Sequence, residues 1–202
     1  MDPALLPALL AFSFASSITP GPNNLMLLAS GANFGVRRSV PHMLGISVGH
    51  SFMVVVVGLG LVGLFEAVPA LHTALTAASV AYLLWLAWRI AGSVPKEGAA
   101  RGRPFTFLQA AAFQWVNPKA WYMAIGAVTL YAGSTALGVL VVALVFAATN
   151  LPSISVWTVL GQRMRRFLTS PARLRAFNWT MAALLVASLA PVVAHEWERL
   201  AA

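Results

Sequence analysis

Apolar residues dominate this chain in six long runs, and the short segments between the runs carry most of the charge. The runs cover roughly residues 4 to 29, 42 to 64, 71 to 91, 106 to 131, 136 to 159 and 177 to 194. Each is close to the length of about 20 residues that an α-helix needs to cross a bilayer. Because the apolar residues are continuous and do not alternate with polar ones, they indicate helices and not barrel strands. The pattern predicts an all-α integral membrane protein with six transmembrane helices.

Two of the runs are interrupted near their middles by residues that disfavour a helix. The first contains Thr19 to Asn24 (TPGPNN), and the fourth contains Asn117 to Ala120 (NPKA) at a similar depth from its start. Proline lacks a backbone N–H and clashes with the preceding helical turn, so we expect helices 1 and 4 to be broken there. Backbone groups freed in hydrocarbon need partners, and broken helices at membrane depth therefore usually line a cavity.

The two interruptions also indicate how the chain is organised. Three helices followed by three would place the second half upside down relative to the first, which is the inverted-repeat plan of many secondary transporters. Interruptions at matching positions of such halves are the best sequence pointer to a transport site. We predict a single transmembrane domain over residues 1–202, arranged as a 3+3 inverted repeat with halves at about 1–95 and 104–202 and a linker at 92–104.

The composition agrees with this class, and the charge pattern orients the chain. The sequence is 59% hydrophobic and 9% charged, whereas soluble domains are about a quarter charged. Eleven of the thirteen Lys and Arg residues lie between runs 1 and 2, 3 and 4, and 5 and 6, counting Arg89 at the end of run 3. The opposite side carries Asp2, Glu66, Glu196, Glu198 and Arg199. The positive-inside rule then places both termini outside the cytoplasm. Because topology explains the net charge of +8, we expect no nucleic-acid partner, and we expect the basic segment 161–176 to touch anionic membrane lipids.

Two ionisable residues inside the predicted spans are candidates for proton coupling. Lys119 lies roughly 20 Å along its helix, at 1.5 Å per residue, which is too deep for its side chain to reach either surface easily. Charged groups at this depth are costly and usually functional, although Lys119 could instead be a structural lysine that caps carbonyls freed by Pro118. His50 could relay protons, and the alternative is a neutral, hydrogen-bonded packing residue.

Carboxamide side chains cluster at the interruptions and suit a zwitterionic ligand, since they supply both donors and acceptors. A half-helix that begins near Pro22 would also point free N–H groups and the positive end of its dipole at a carboxylate. The alternative is that the Asn side chains only satisfy the broken backbone. The predicted substrate-binding residues are Pro20, Gly21, Pro22, Asn23, Asn24, Asn117, Pro118, Lys119 and Asn150.

The second and fifth runs carry features that concern packing. Gly45 and Gly49 are four residues apart and form a small-residue face that lets another helix approach closely. Pro152 predicts a kink in the fifth helix, and this kink would bring Asn150 to the same cavity.

The chain lacks the sequence signals of an enzyme or a metalloprotein. It has no cysteine, no HExxH, GxSxG or phosphate-binding Gly-rich motif, and no acidic metal cluster. We therefore expect no catalysis, no cofactor and no metal site. No predicted span contains Asp or Glu, so a cationic substrate side chain would have no obvious partner. This favours a neutral or weakly polar substrate.

Several motifs together resemble the LysE/RhtB family of bacterial amino-acid exporters. They are Thr19 to Asn23 (TPGPN), the pair Gly45 and Gly49, Ala81 to Trp88 (AYLLWLAW) and Gln114 to Ala120 (QWVNPKA). The resemblance covers nearly the whole chain in order and is greatest to the cysteine/O-acetylserine branch. It implies a six-helix inner-membrane exporter of amino acids or close derivatives, driven by the proton-motive force, whose site lies at the paired discontinuities.

One position departs from the family pattern. Many members have an acidic residue just after the second glycine of the second helix, where this chain has His50. Either His50 takes over proton coupling or another residue does. The missing acid also makes export of lysine or arginine less expected.

Two other classes of protein remain open at the level of sequence. A channel or lipid scramblase would use a similar polar groove, but it would not move a solute against its gradient. A membrane interaction protein without transport activity could use the same breaks for helix packing. The sequence does not fix the oligomeric state, and a homodimer is one assembly compatible with it.

Overall fold

The computed structural model describes residues 3–61, 69–92, 103–190, 193–194 and 198. Every regular element in these residues is helical, as predicted. The α-helices are α1 (Leu6–Ile18), α2 (Pro22–Phe34), α3 (Val36–Val56), α4 (Pro69–Ala91), α5 (Phe107–Phe113), α6 (Pro118–Ala127), α7 (Ala136–Met164) and α8 (Pro171–Ala187). Short 3₁₀ turns cover Pro3–Leu5 and Gln114–Val116, and π-helical turns extend α3 and α6 over Val57–Leu61 and Val128–Ala132.

Three helical segments are long and apolar enough to cross a bilayer, namely Val36–Gly60, Thr73–Ala91 and Ala136–Met164. The helices α1 and α2 form a fourth such segment, bent by 53° at the predicted interruption. The other two predicted spans contain shorter helices, since α5 and α6 have 7 and 10 residues and α8 has 17. The described residues thus support three or four spans, and the 3+3 arrangement of six helices stays a prediction.

Several helices extend beyond the apolar runs at their basic ends. α3 begins at Val36 and not near residue 42, α7 continues to Met164, and α8 begins at Pro171 and not near residue 177. An apolar run reports the thickness of the hydrocarbon core, whereas a helix continues into polar surroundings until its end is capped. At α8 the cap is Ser170, whose hydroxyl accepts a hydrogen bond from the N–H of Arg173 at 3.3 Å.

Part of the predicted charge pattern lies outside the described residues. The linker predicted at 92–104 is described only at its two ends. The charged residues outside the described ranges are Asp2, Glu66, Lys96, Glu97, Arg101, Glu196 and Arg199. The orientation of the termini and the division into two halves therefore stay predictions.

Both predicted helix breaks are present, and a proline begins the helix that follows each of them. Pro22 and Pro118 occupy the first positions of α2 and α6. At this position the missing N–H costs nothing, because first-turn amides have no partner within the helix. The prolines that break the two spans therefore also fix where the next helix starts.

The long helix α7 is the element on which α1, α2 and α3 pack. Its approach to α2 is close because Gly31 faces the backbone of Thr158 and Gly161 faces the backbone of Leu28. Small residues at such crossings let two helix backbones come together within a membrane. α7 continues through Pro152, so the predicted kink does not divide this helix.

The small-residue face of α3 lies against α5. Gly45 faces the carbonyl of Phe107 and the side chain of Ala110, and Gly49 faces Ala111. The segment that precedes the second break is thereby held close to α3.

The pair formed by α4 and α8 buries the apolar side chains of α2. Leu83 of α4 and Leu185 of α8 are fully buried in the same cluster as Leu25 and Leu28. Since α7 also packs on α2, this half-helix is enclosed, and its start is held in a fixed place.

Gly161→Ala should destabilise the fold, because the new Cβ would collide with the Leu28 carbonyl and push α2 away from α7. We expect a loss of about 1–3 kcal/mol, the usual cost of overpacking, seen as a lower thermal midpoint of the purified protein. Gly126→Ala is the matched control, since this helical glycine would place a Cβ in ordinary contact with Phe12 at 3.6 Å. Equal midpoints for the two variants would contradict the close packing of α2 on α7.

Candidate functional site

A small, partly open cavity lies where α1, α2, α3, α6 and α7 meet. Seven residues predicted for the site line it: Gly21, Asn23, Asn24, His50, Asn117, Lys119 and Asn150. Pro20, Pro22 and Pro118 form the breaks and are not part of the lining. The fold thus brings the two interruptions together around one cavity.

Five residues of the lining were not predicted from the sequence: Ser16, Ser17, Ala120, Met123 and Ile154. The sequence does indicate a polar face that includes Ser17, because Ser13 and Ser17 are polar residues four positions apart on a mainly apolar helix. The structure buries both side chains. The three apolar residues carry none, since similar side chains fill every span.

The break between α1 and α2 leaves backbone carbonyls that other side chains satisfy. Nδ2 of Asn24 donates to the carbonyls of Ser17 and Thr19 at 2.8 and 2.7 Å. The indole N–H of Trp157, on α7, donates to the Ile18 carbonyl at 2.9 Å. These bonds replace ones that the interrupted helix cannot make, so both side chains stabilise the break.

Lys119 joins the second break to the first. Its Nζ donates to the Thr19 carbonyl at 2.6 Å, the Thr19 hydroxyl at 2.9 Å and the Pro20 carbonyl at 3.2 Å. These three bonds match the three donors of a lysine ammonium. The structural role considered from the sequence was a cap on carbonyls freed by Pro118, whereas Lys119 caps the other break. Gly21 makes room for it, because a Cβ there would lie 2.6 Å from Cδ of Lys119.

A second bridge links the breaks through two carboxamides. Nδ2 of Asn23 donates to Oε1 of Gln114 at 2.9 Å, and Nε2 of Gln114 donates to Oδ1 of Asn23 at 3.2 Å. Gln114 is fully buried in the 3₁₀ turn before the second break, where it also donates to the Ala110 carbonyl. The sequence predicted no role for Gln114, although it is a polar side chain within an apolar run and the first residue of the motif Gln114 to Ala120. Each break therefore contributes a side chain to the other.

The half-helices that follow the two breaks begin differently. Asn117 caps α6, because its Oδ1 accepts a hydrogen bond from the N–H of Lys119 at 3.2 Å. α2 begins after Gly21 without a side-chain cap from the described residues. The N–H groups of Asn23 and Asn24 belong to its first turn and have no partner within the helix. This uncapped helix start, at the wall of the cavity, is suited to bind an anionic group.

Several buried polar atoms of the lining have no hydrogen-bond partner in the described part of the chain. They are Oγ of Ser17, Oδ1 of Asn24, Oδ1 of Asn150 and both ring nitrogens of His50. The His50 ring packs edge-on against Phe146, with centroids 4.9 Å apart. Because buried polar atoms without partners are costly and rare, these atoms are candidates for contact with a polar ligand.

The charges of the lining restrict the chemistry of the site. Lys119 is the one Lys, Arg, Asp or Glu residue among the lining residues that the structure describes. The described residues also contain no group of three or more His, Cys, Asp or Glu side chains placed to hold a metal ion. The cavity therefore offers neutral dipoles, a histidine and one cationic side chain.

Comparison with known proteins relates most of this chain to a family of transport proteins. The profile of the LysE type translocator family matches residues 14–196. The cysteine/O-acetylserine efflux protein of Klebsiella pneumoniae is 32% identical over 198 residues, which cover 92% of this chain and 95% of that protein. Proteins of the same name from Escherichia coli K12 and Shigella sonnei are 32% identical over 200 residues, which cover 92% of this chain and 96% of each. No solved structure matches the chain.

Trp157→Phe should destabilise the protein, because it removes the donor to the Ile18 carbonyl and keeps an aromatic ring in place. A backbone carbonyl left without a partner costs about 1–3 kcal/mol, so the thermal midpoint of the purified protein should fall by several degrees. Trp179→Phe is the control, since this indole on α8 is 61% exposed. If both variants melt alike, Trp157 does not support the break.

Proposed function

Since the chain belongs to the LysE type translocator family, we propose that it is a secondary transporter that exports amino acids or close derivatives from the cytoplasm. The observation that carries the proposal is the cavity at which two broken helices meet. Paired discontinuities are where many secondary transporters bind their substrates. The relatives named as cysteine/O-acetylserine efflux proteins support both the substrate class and the direction of transport.

The lining favours a small neutral amino acid. A zwitterion needs donors for its carboxylate and acceptors for its ammonium group, and the uncapped start of α2 and the carboxamides of the lining supply both. Ala120, Met123 and Ile154 provide an apolar wall for an uncharged side chain. The described lining has no carboxylate to pair with a cationic side chain, so lysine and arginine fit less well.

We place proton coupling on Lys119 or His50, the two residues of the described lining whose side chains can take up and release a proton. Lys119 links the breaks through Thr19 and Pro20, so loss of its proton would remove one donor and weaken the link. His50 has no side-chain hydrogen bond with the described residues, so it can take up a proton without breaking one. Either residue could make export a proton antiport.

The contacts at the breaks support an inverted repeat. Asn23 and Lys119 occupy the same position, the second residue of the half-helix after each break. Asn23 bonds to Gln114 just before the second break, and Lys119 bonds to Thr19 just before the first. A two-fold axis between inverted halves would produce this exchange. We therefore propose six helices in a 3+3 arrangement in the bacterial inner membrane, with both termini outside and the basic cytoplasmic ends touching anionic lipid.

Transport by the purified protein in liposomes tests the proposal. Labelled small neutral amino acids should move against their gradient when a pH gradient is imposed, because an antiporter couples the two flows. Accumulation of one class of amino acid that depends on the pH gradient would support proton-coupled export. Flux indifferent to the gradient would favour a channel or scramblase, and no flux for any amino acid would contradict transport.

Lys119→Ala should abolish transport in liposomes while the protein still inserts into the membrane. The change removes the three hydrogen bonds by which Lys119 joins the breaks, together with the positive charge of the described lining. Lys119→Arg is the comparison variant, because it keeps the charge and several donors, and it should retain more activity. Wild-type efflux from a correctly inserted Lys119→Ala variant would remove Lys119 from the mechanism.

A further inference from the structure

Three oxygen atoms of the cavity lining have no hydrogen-bond partner within the described ranges. They are Oγ of Ser17 on α1, Oδ1 of Asn24 on α2 and Oδ1 of Asn150 on α7. The residues that carry them are only 5%, 3% and 3% exposed. Native structures seldom leave buried acceptors unpaired, and these three belong to side chains that line one cavity.

Neighbouring polar side chains on the same helices are paired. On α1, the hydroxyls of Ser13 and Ser16 donate to backbone carbonyls at 3.1 and 3.2 Å. On α7, the hydroxyls of Thr149 and Ser153 donate to carbonyls one turn back at 2.8 and 2.7 Å. The unpaired oxygens of Ser17 and Asn150 thus lie on helices whose neighbouring hydroxyls find backbone partners.

The orientation of the Asn24 amide follows from its contacts. Its Nδ2 donates to the carbonyls of Ser17 and Thr19, which leaves Oδ1 on the opposite side of the planar group. A reversed amide would place its oxygen against two carbonyl oxygens, which cannot donate. Asn24 is therefore left with an acceptor oxygen that has no partner among the described residues.

We infer that Ser17, Asn24 and Asn150 form a subsite for a primary ammonium group. Such a group carries three N–H donors and no acceptor, so its donors match the three oxygens in number. The identity of the ligand as an amino acid rests on the proposed function, whereas the preference for an ammonium group follows from these atoms.

The positive charge of Lys119 sets the orientation of the ligand. Lys119 lies on α6 in the same cavity, and it would repel an ammonium group placed beside it. A zwitterion therefore lies with its carboxylate toward Lys119 and the uncapped start of α2, and with its ammonium group at the three oxygens. An amine without a carboxylate has no group to pair with Lys119 and the start of α2, so it binds more weakly than the amino acid.

Ligand binding to the purified protein, measured apart from transport, tests the subsite. Serine, glycerate and ethanolamine are suitable probes, since glycerate replaces the ammonium group of serine by a hydroxyl and ethanolamine lacks its carboxylate. We expect serine to bind most tightly and glycerate to bind at least about tenfold more weakly, the loss expected for charge-assisted hydrogen bonds. Equal affinity for serine and glycerate would overturn the subsite.

Variants of the three residues separate ligand binding from folding. Asn150→Leu and Ser17→Ala should each weaken serine binding about tenfold and leave glycerate binding unchanged. Because each change removes an unpaired buried oxygen, the thermal midpoint of the ligand-free protein should stay the same or rise. Ser153→Ala is the matched control, since it lies one turn from Asn150 and its hydroxyl is paired within α7. Wild-type serine affinity in both site variants, or a lower midpoint with unchanged ligand preference, would contradict the inference.

The outcomes distinguish this inference from the proposed function. Serine that binds through its ammonium group but is not moved in liposomes would leave the subsite standing and contradict transport. Transport of amino acids together with equal affinities for serine and glycerate would support the proposed function and contradict the subsite. If neither serine nor ethanolamine binds at millimolar concentration, the subsite does not bind ammonium groups.

Discussion

The structure depends on satisfying the backbone carbonyls that the first broken helix leaves without partners. In a hydrocarbon environment each such group costs several kcal/mol unless a donor reaches it, so the break can exist only where donors are held in place. Those donors come from Asn24 on α2, Lys119 on α6 and Trp157 on α7. The break is therefore also the point at which four helices are joined, and its stability requires that α6 and α7 pack correctly around it.

The same requirement divides the cavity into two chemically different parts. At the first break, carbonyls and donors are matched, and the side chains of Lys119 and Asn24 both donate to the Thr19 carbonyl. Beside it, oxygens of Ser17 and Asn150 have no partner in the described residues, and the start of α2 has no side-chain cap there. Some polar groups of the cavity stabilise the broken backbone, and others have no partner in the described part of the chain and are available to a ligand. This division suits a transporter. The cavity can bind a zwitterion without giving up the bonds that maintain the break.

The two bridges between the breaks also connect structure to the proposed transport cycle. The Asn23 and Gln114 carboxamides and the contact of Lys119 with Thr19 each join the segment before one break to the half-helix after the other. Any movement of one half against the other must strain or exchange these bonds. They are hydrogen bonds between side chains or from a side chain to the backbone, so they can be made and broken without unfolding a helix.

The sequence by itself determined the helical class, the positions of both breaks and most of the polar cavity lining. These features are local, because proline stops a helix wherever it occurs and a few carboxamides stand out in an apolar chain. The tertiary structure alone decided which groups meet. Nothing local pairs Gln114 with Asn23 or Trp157 with Ile18, and the structural alternative for Lys119 placed it at its own break. Such pairings join residues 91 to 139 positions apart, and they follow from the way glycine faces let helices cross, which no local pattern encodes.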